Sequence, residues 1–254
     1  MQIAPGIHSI RQTGRQTYPS GYSHAYLLET GPEELTLIDT LGDTDGRLVL
    51  DTLRRLNRPI ESLEHILLTH CHRSHVSGAA RLRELSGATV YAHPWEAEII
   101  SGKRSAPRVS LLPLRPLRIF PQRLGLALRA SHPPCPVDRH LGDGDTVGPV
   151  RVIHAPGHTP GALVYYWPAR RALFTGDNVV SWPSLRTGWP GFQLDAPQFR
   201  RSMRYIEESV TRLAEDPAQP VAVIGVAHGE PVTRGATENL RSLVDAAWSG
   251  RIEV

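Results

Sequence analysis

The chain has 254 residues, a formal net charge of +3 and two cysteines, Cys71 and Cys135. This length accommodates one large α/β domain or two small ones, and we favour one because no stretch has the composition of a linker. The small net charge disfavours a nucleic-acid partner, and the large separation of the two cysteines disfavours a structural disulfide. No run of about 18 apolar residues is present, and the N-terminal MQIAPGIHSI lacks a secretory-signal pattern. We therefore expect a cytoplasmic protein with no membrane partner.

The first part of the chain predicts strands that alternate with helices. Residues 23–40 (HAYLLET, GPEE, LTLIDT) have the pattern of a β-hairpin. The elements that follow are an amphipathic helix over 46–57, a strand over 66–69, a helix near 77–85, a strand over 89–92 and a helix after Pro94. This order of elements favours an α/β layered fold.

The segment from Ile99 to Val137 interrupts this regular pattern. It contains several prolines and seven basic residues but no acidic residue. Its apolar residues alternate with arginines, which is typical of a lid over a site or of a dimer contact; a cationic surface that only covers the core is the alternative. We interpret the segment as a basic insertion, at about 99–137, within one domain that spans 1–254.

The last part of the chain again predicts strands and helices. Strands are expected over 150–154, 163–167, 172–175 and 221–226, and helices over 196–214 and 237–248. Gly157, Gly161 and Gly176 lie in the turns between these strands, where glycine permits a tight change of direction.

A cluster of three histidines, Thr69-His70-Cys71-His72-Arg73-Ser74-His75, follows the apolar run at 66–68. A strand that ends in His-x-His would direct both imidazoles to one side, and Cys71 to the other. His158, Asp177 and His228 each follow a predicted strand at a turn and could converge on the same ion. The lone histidines His93 and His154 are predicted to be structural.

Four motifs in this order, THCHRSH, HAPGHTPG, FTGD and AHGEP, together with LIDT at 37–40, resemble those of the metallo-β-lactamase superfamily. The resemblance implies a four-layer αβ/βα sandwich, with two mixed β-sheets flanked by helices. It also implies that one metal is held by His70, His72 and His158, that Asp177 bridges to a second metal, and that His75 and His228 complete the second site. Asp177 and His228 are the residues expected to take part in catalysis.

The resemblance implies a hydrolase in which metal-activated water attacks an ester, thioester, lactone or lactam bond. Three neutral imidazoles leave an open position on a tetrahedral zinc, where water ionises near neutral pH. We expect one or two zinc ions, with iron or manganese as alternatives, and a small-molecule substrate of anionic or amphipathic character. The alternative functions are a persulfide dioxygenase-like oxidoreductase with a single iron and a non-catalytic metal-binding relative.

One residue departs from the family's motif. Ser74 stands where the motif has an aspartate that binds the second metal. Loss of one negative charge beside two dications predicts weaker binding of the second ion. Asp39 is expected either to accept a hydrogen bond from a metal-binding histidine or to cap a turn.

Overall fold

The computed structural model describes residues 1–14, 22–107, 132–189 and 192–249. Residues 108–131, which make up most of the predicted basic insertion, lie outside the described residues. The insertion therefore remains a prediction.

The strands form two large mixed sheets. In chain order the strands are β1 (Gln2–Ala4), β2 (Ile7–Thr13), β3 (Tyr22–Glu29), β4 (Leu35–Ile38), β5 (Leu63–Leu67), β6 (Thr89–Ala92), β7 (Arg139–His140), β8 (Thr146–Val147), β9 (Val150–His154), β10 (Leu163–Trp167), β11 (Ala172–Gly176), β12 (Val179–Val180), β13 (Arg186–Thr187) and β14 (Val223–Val226). One sheet has seven strands in the order β1-β2-β3-β4-β5-β6-β7, and the other has five in the order β14-β11-β10-β9-β8. The remaining strands, β12 and β13, pair with each other in a small antiparallel sheet. Each contains both parallel and antiparallel pairs.

The helices cover the outer faces of the two sheets. They are α1 (Arg47–Arg55), α2 (Arg73–Val76), α3 (Ala79–Ser86), α4 (Pro94–Ile100), α5 (Ala196–Leu213) and α6 (Ala236–Trp248), with short 3-10 helices at Ile60–Ser62 and Pro168–Arg170. Helix α5 begins where the side chain of Asp195 accepts a hydrogen bond from the backbone N–H of Gln198, as expected of an N-cap. Among the described residues, no helix is both long and apolar enough to cross a membrane.

Three hydrophobic clusters establish the order of the layers. The first cluster includes Leu53 of α1 and Leu82 of α3 on one side of the seven-stranded sheet. The second includes Phe199 of α5 and Leu240 of α6 on the five-stranded sheet. The third lies between the sheets and is built from side chains of both, Tyr26, Leu28, Leu67, Tyr165 and Phe174 among them. The fold is thus the predicted four-layer αβ/βα sandwich.

The structure also contains strands that the sequence pattern did not indicate. β1 and β2 precede the first predicted element, and β2 is buried at five of its seven positions, so apolar and polar residues do not alternate along it. The strand predicted over 66–69 instead covers Leu63–Leu67. His70 and His72 therefore lie beyond the end of β5.

Candidate metal centre

The ends of several strands meet at one edge of the sandwich. β9 and β11 are both antiparallel to β10, and β14 is parallel to β11, so β9, β11 and β14 run in the same direction. Their carboxyl ends precede His158, Asp177 and His228. The loop after β5 is attached to this edge, because the backbone N–H of Leu163 donates to the carbonyl of Thr69 at 2.9 Å.

The histidine cluster lies in a loop rather than on a strand. β5 ends at Leu67, and His72 immediately precedes helix α2 with φ −67° and ψ 142°. The prediction that His70 and His72 project from the same side of a strand was therefore wrong. The two imidazoles nevertheless meet, with His70 Nε2 and His72 Nδ1 2.9 Å apart.

The first group of donor atoms belongs to His70, His72, His158 and Asp177. His158 Nε2 lies 3.1 Å from His72 Nδ1 and 3.5 Å from Asp177 Oδ2. Four ligands about 2.0–2.1 Å from a tetrahedral zinc would be separated by roughly 3.3 Å. The donor atoms therefore have the spacing that a zinc ion requires.

The second group belongs to His75, Asp177 and His228. Asp177 Oδ1 lies 3.3 Å from His75 Nε2 and 3.4 Å from His228 Nε2. Asp177 thus directs one carboxylate oxygen toward each group. Two imidazoles and one carboxylate are a common donor set for zinc or iron.

Buried polar atoms provide a second test of whether these residues suit a metal. His75 Nε2 and Asp177 Oδ1 are shielded from solvent and make no hydrogen bond to any residue in the described part of the chain. A buried polar group without a partner costs free energy, and a cation between these atoms would remove that cost. The second group therefore fits a cation as well.

Asp39 and Thr69 fix the orientation of two histidines. Asp39 Oδ2 lies 2.7 Å from His75 Nδ1, and Asp39 also accepts hydrogen bonds from the backbone and hydroxyl of Thr69. Because the Thr69 hydroxyl donates to Asp39, it accepts from His70 Nδ1, 3.0 Å away. His70 then presents a bare Nε2 to the cluster, and His75 is held with its Nε2 facing Asp177. Of the two roles predicted for Asp39, the bond to a cluster histidine is present.

The protonation states differ between the two groups. Burial lowers the pKa of His72 to about 3, and it also lowers the pKa of His70, His158 and His228 below the ordinary value. Burial disfavours the charged form of His75 too, but Asp39 and Asp177 outweigh it and raise the pKa of His75 to about 10. The first group thus offers neutral imidazoles, whereas His75 carries a proton on both ring nitrogens at neutral pH.

Asp177 carries the negative charge that both groups share. Burial favours the neutral acid, but His228 and His75 hold the pKa of Asp177 well below its ordinary value. The carboxylate is therefore ionised at any pH at which the neighbouring imidazoles could bind a metal.

Two glycines allow the loops to place these side chains. Gly176 directly precedes Asp177, has φ 52°, and a Cβ there would lie 2.9 Å from Thr69 Oγ1. Gly157 directly precedes His158, has φ 132°, and a Cβ there would lie 2.4 Å from the backbone nitrogen of Phe199. Both positions need glycine, in agreement with their predicted role.

Glu96 joins the two loops that carry the first group. Its side chain is fully buried, with Oε2 accepting from the backbone N–H of Cys71 and Oε1 from that of Gly161, each at 2.9 Å. Cys71 lies between His70 and His72, and Gly161 lies in the turn after His158. Sequence reasoning missed Glu96, because a glutamate three residues into a short helix carries no distinguishing signal.

The remaining predicted positions lie outside the donor groups. Ser74 is partly exposed in helix α2 and supplies no carboxylate. The side chain of Cys71 is buried in the core cluster of the seven-stranded sheet. His93 and His154 stack on each other with ring centroids 4.5 Å apart, as expected of structural residues.

An aromatic wall, formed by Trp189 and Phe192, borders the second donor group. The ring of Trp189 lies 4.9 Å from that of His228, and the ring of Phe192 lies 5.7 Å from that of Trp189. This wall gives the site one apolar side. It was not predicted from the sequence, because both residues lie in an irregular segment.

Comparisons of the sequence with known proteins identify relatives of this chain. Hydroxyacylglutathione hydrolase from Rhodobacter capsulatus is 30% identical over 148 residues, which cover 58% of this chain and 46% of that protein. The chain spans about half the length of the first curated relatives that it matches.

Solved structures show the same fold. A mutant of the Cronobacter sakazakii metallo-β-lactamase with the HARLDQ motif superposes with a TM-score of 0.67 at 20% identity, covering 99% of this chain and 95% of that one. TTHA1623, crystallised in a di-iron-bound form, has a TM-score of 0.59 at 26% identity, covering 85% of this chain and 91% of that one. The family model of the metallo-β-lactamase superfamily matches residues 18–228, and the chain therefore belongs to this superfamily.

Proposed function

We propose that this protein is a metal-dependent hydrolase that acts on an acyl bond. The observation that carries the proposal is the pair of donor groups that share Asp177, with one carboxylate oxygen directed toward each group. In this proposal His70, His72 and His158 hold a first ion, and His75 and His228 hold a second. Asp177 would contribute one carboxylate oxygen to each site.

Each residue has a definite task in the proposed reaction. A bound divalent ion would lower the pKa of water and polarise the substrate carbonyl. The imidazoles of the first group are neutral, so Asp177 alone would offset part of the charge of that ion, which favours ionisation of the water. Asp177 would fix the separation of the two donor groups. His228, whose ring lies beside that of Trp189, would place the second ion on the side of the site where the substrate binds.

The substrate class is proposed from the aromatic wall of the site and from the composition of the 99–137 segment. The aromatic wall of Trp189 and Phe192 favours an apolar acyl group, and the basic residues of the 99–137 segment favour a negative charge elsewhere in the molecule. An amphipathic acyl compound combines the two features. Among ester, thioester, lactone and lactam bonds we favour the thioester, since one relative is by name a hydrolase of an acylglutathione.

Zinc is the proposed metal, with iron or manganese as alternatives. The donor set of nitrogen and carboxylate oxygen suits all three metals. A relative of known structure holds two irons, which supports testing iron first among the alternatives.

We also propose a single domain over 1–254, a cytoplasmic location and a homodimer contact or lid formed by the 99–137 segment. Both cysteines are free and buried, which suits a reducing compartment. The oligomeric state is measurable by light scattering.

The test is metal analysis of protein purified without added metal, paired with a hydrolysis screen on thioesters, lactones and a chromogenic lactam. We expect bound zinc and turnover of a thioester, both lost in His72→Ala. His140→Ala is the matched control, because His140 is exposed and belongs to neither donor group. Oxygen uptake with a persulfide and a single iron would favour the oxidoreductase, and metal binding without any turnover would favour the non-catalytic relative.

A further inference from the structure

The side chain of Gln193 connects His158 to the segment that carries the aromatic wall. Gln193 Oε1 lies 3.1 Å from His158 Nδ1, and Gln193 Nε2 donates to the carbonyl of Trp189 at 3.3 Å. A second tie is the backbone N–H of Leu194, which donates to the carbonyl of His158 at 3.4 Å. The amide of Gln193 thus has one defined partner at each end.

The chemistry of these partners determines the tautomer of His158. A backbone carbonyl only accepts, so the NH2 group of Gln193 must face Trp189 and its oxygen must face His158. His158 Nδ1 must then carry the proton, which leaves the lone pair of Nε2 directed at His72 and Asp177. Gln193 therefore does for His158 what Thr69 and Asp39 do for His70 and His75.

The same segment also contacts the rest of the donor cluster. Trp189 packs against His228, and the backbone N–H of Gly188 donates to the carbonyl of Asn178, the residue after Asp177. A Cβ at Gly188 would lie 2.1 Å from Gln193 Nε2. The amide can occupy its place only because residue 188 has no side chain.

We propose that Gln193 is a positioning residue that sets the tautomer and orientation of His158 and couples the first donor group to the substrate-side wall at Trp189. The inference rests on the proposed metal-binding role of His158. A movement of Trp189 caused by a bound substrate would be transmitted through the Gln193 amide to His158. Trp189 and Gln193 then belong to the metal centre and do not merely border it.

Two substitutions separate the two bonds of Gln193. Gln193→Met keeps the approximate volume and removes both bonds, whereas Gln193→Glu keeps an acceptor for His158 Nδ1 but offers no donor to Trp189. The control is Gln198→Ala, because Gln198 Oε1 accepts from Arg201 and from no histidine in the described chain. Loss of such a supporting contact typically weakens metal binding by about 10–100-fold.

The experiment uses protein loaded with one equivalent of zinc and has two readouts at the first donor group. These are the chelator concentration that removes the zinc and the NMR resonance of the His158 Nδ1–H proton. We expect Gln193→Met to lose the resonance and to release zinc about 10–100-fold more readily, and Gln193→Glu to retain both properties. Trp189 fluorescence should change in both variants, since both lose the bond to its carbonyl.

Two outcomes would overturn the proposal. One is a Gln193→Met protein that keeps the resonance and the native zinc affinity. The other is a Gln193→Glu protein that loses the resonance, and this outcome applies even if the methionine variant does not fold. Neither readout depends on turnover, so a protein that hydrolyses none of the acyl substrates would refute the proposed function and leave this inference intact.

Discussion

Glu96→Gln tests whether one buried carboxylate holds the two metal-binding loops together. Glutamine has nearly the same shape as glutamate, but one of its two terminal atoms is a donor. Because both partners of Glu96 are backbone N–H groups, the amide nitrogen must face one of them. The substitution therefore breaks one contact and leaves one buried N–H of Cys71 or Gly161 without an acceptor.

The expected cost follows from these two contacts. A hydrogen bond to a charged group contributes about 1.5–3 kcal/mol, and a buried donor left without a partner costs about 1–3 kcal/mol. Removal of a buried charge offsets part of this loss. We expect the free energy of unfolding to fall by about 2–4 kcal/mol, with weaker binding of the first ion because its two loops are no longer joined.

The assay is urea denaturation of the metal-free protein, followed by the same measurement with zinc. Glu98→Gln is the matched control on the same helix, since Glu98 is largely exposed and pairs with Arg104 at 3.0 Å. That change should cost less than about 1 kcal/mol. Equal stabilities for Glu96→Gln and Glu98→Gln would show that Glu96 does not join the loops.

Four further predictions concern the metal ions and the basic segment. His72→Ala should lose at least one equivalent of metal and nearly all activity with the fold intact by circular dichroism, and unchanged metal content would refute the assignment of the first group. Since the pKa of His75 is about 10, the second ion must displace a proton, so its affinity should rise about tenfold per pH unit between pH 6 and 9, as measured by chelator competition. The affinity of the first ion should not change with pH over that range, because burial lowers the pKa of His70, His72 and His158. An equal pH dependence of affinity for the two ions would contradict this prediction. Ser74→Asp should tighten the second ion about tenfold or more, and release of both ions at the same chelator concentration in native and variant proteins would show that another residue already replaces the aspartate. Salt should raise KM more for an anionic substrate than for a neutral isostere if the 99–137 segment attracts anions. An equal increase in KM for both substrates would favour the alternative, a cationic surface that only covers the core.

The sequence predicted most of the layered fold, because its strands and helices have strong local patterns. The helix predicted over 196–214 is observed as Ala196–Leu213, and the strands predicted over 89–92, 150–154 and 163–167 match the structure. β2 was missed because it is buried on both faces and therefore lacks alternation. The donor cluster was predicted because its motifs follow strand ends in a fixed order.

The contacts that support the cluster could not be predicted in the same way. Glu96 and Gln193 each act across a large separation in sequence, 25 residues to Cys71 and 35 residues to His158. No local sequence pattern distinguishes a buried glutamate from a solvated one. The same holds for a loop glutamine that contacts a histidine and one that does not. Only the packing of α4 and of residues 187–189 and 192–194 against the histidine loops reveals their partners.

The charges of the cluster predict the order in which two ions would bind. The first group consists of neutral imidazoles and an oxygen of the ionised Asp177, so an ion entering it displaces no proton. The second group has a protonated His75, and with Ser74 in helix α2 it has no carboxylate besides Asp177 among the described residues. Its ion must therefore displace a proton and share the one bridging carboxylate with an ion already in place. The first ion should bind more tightly at neutral pH, and the difference should narrow as the pH approaches the pKa of His75.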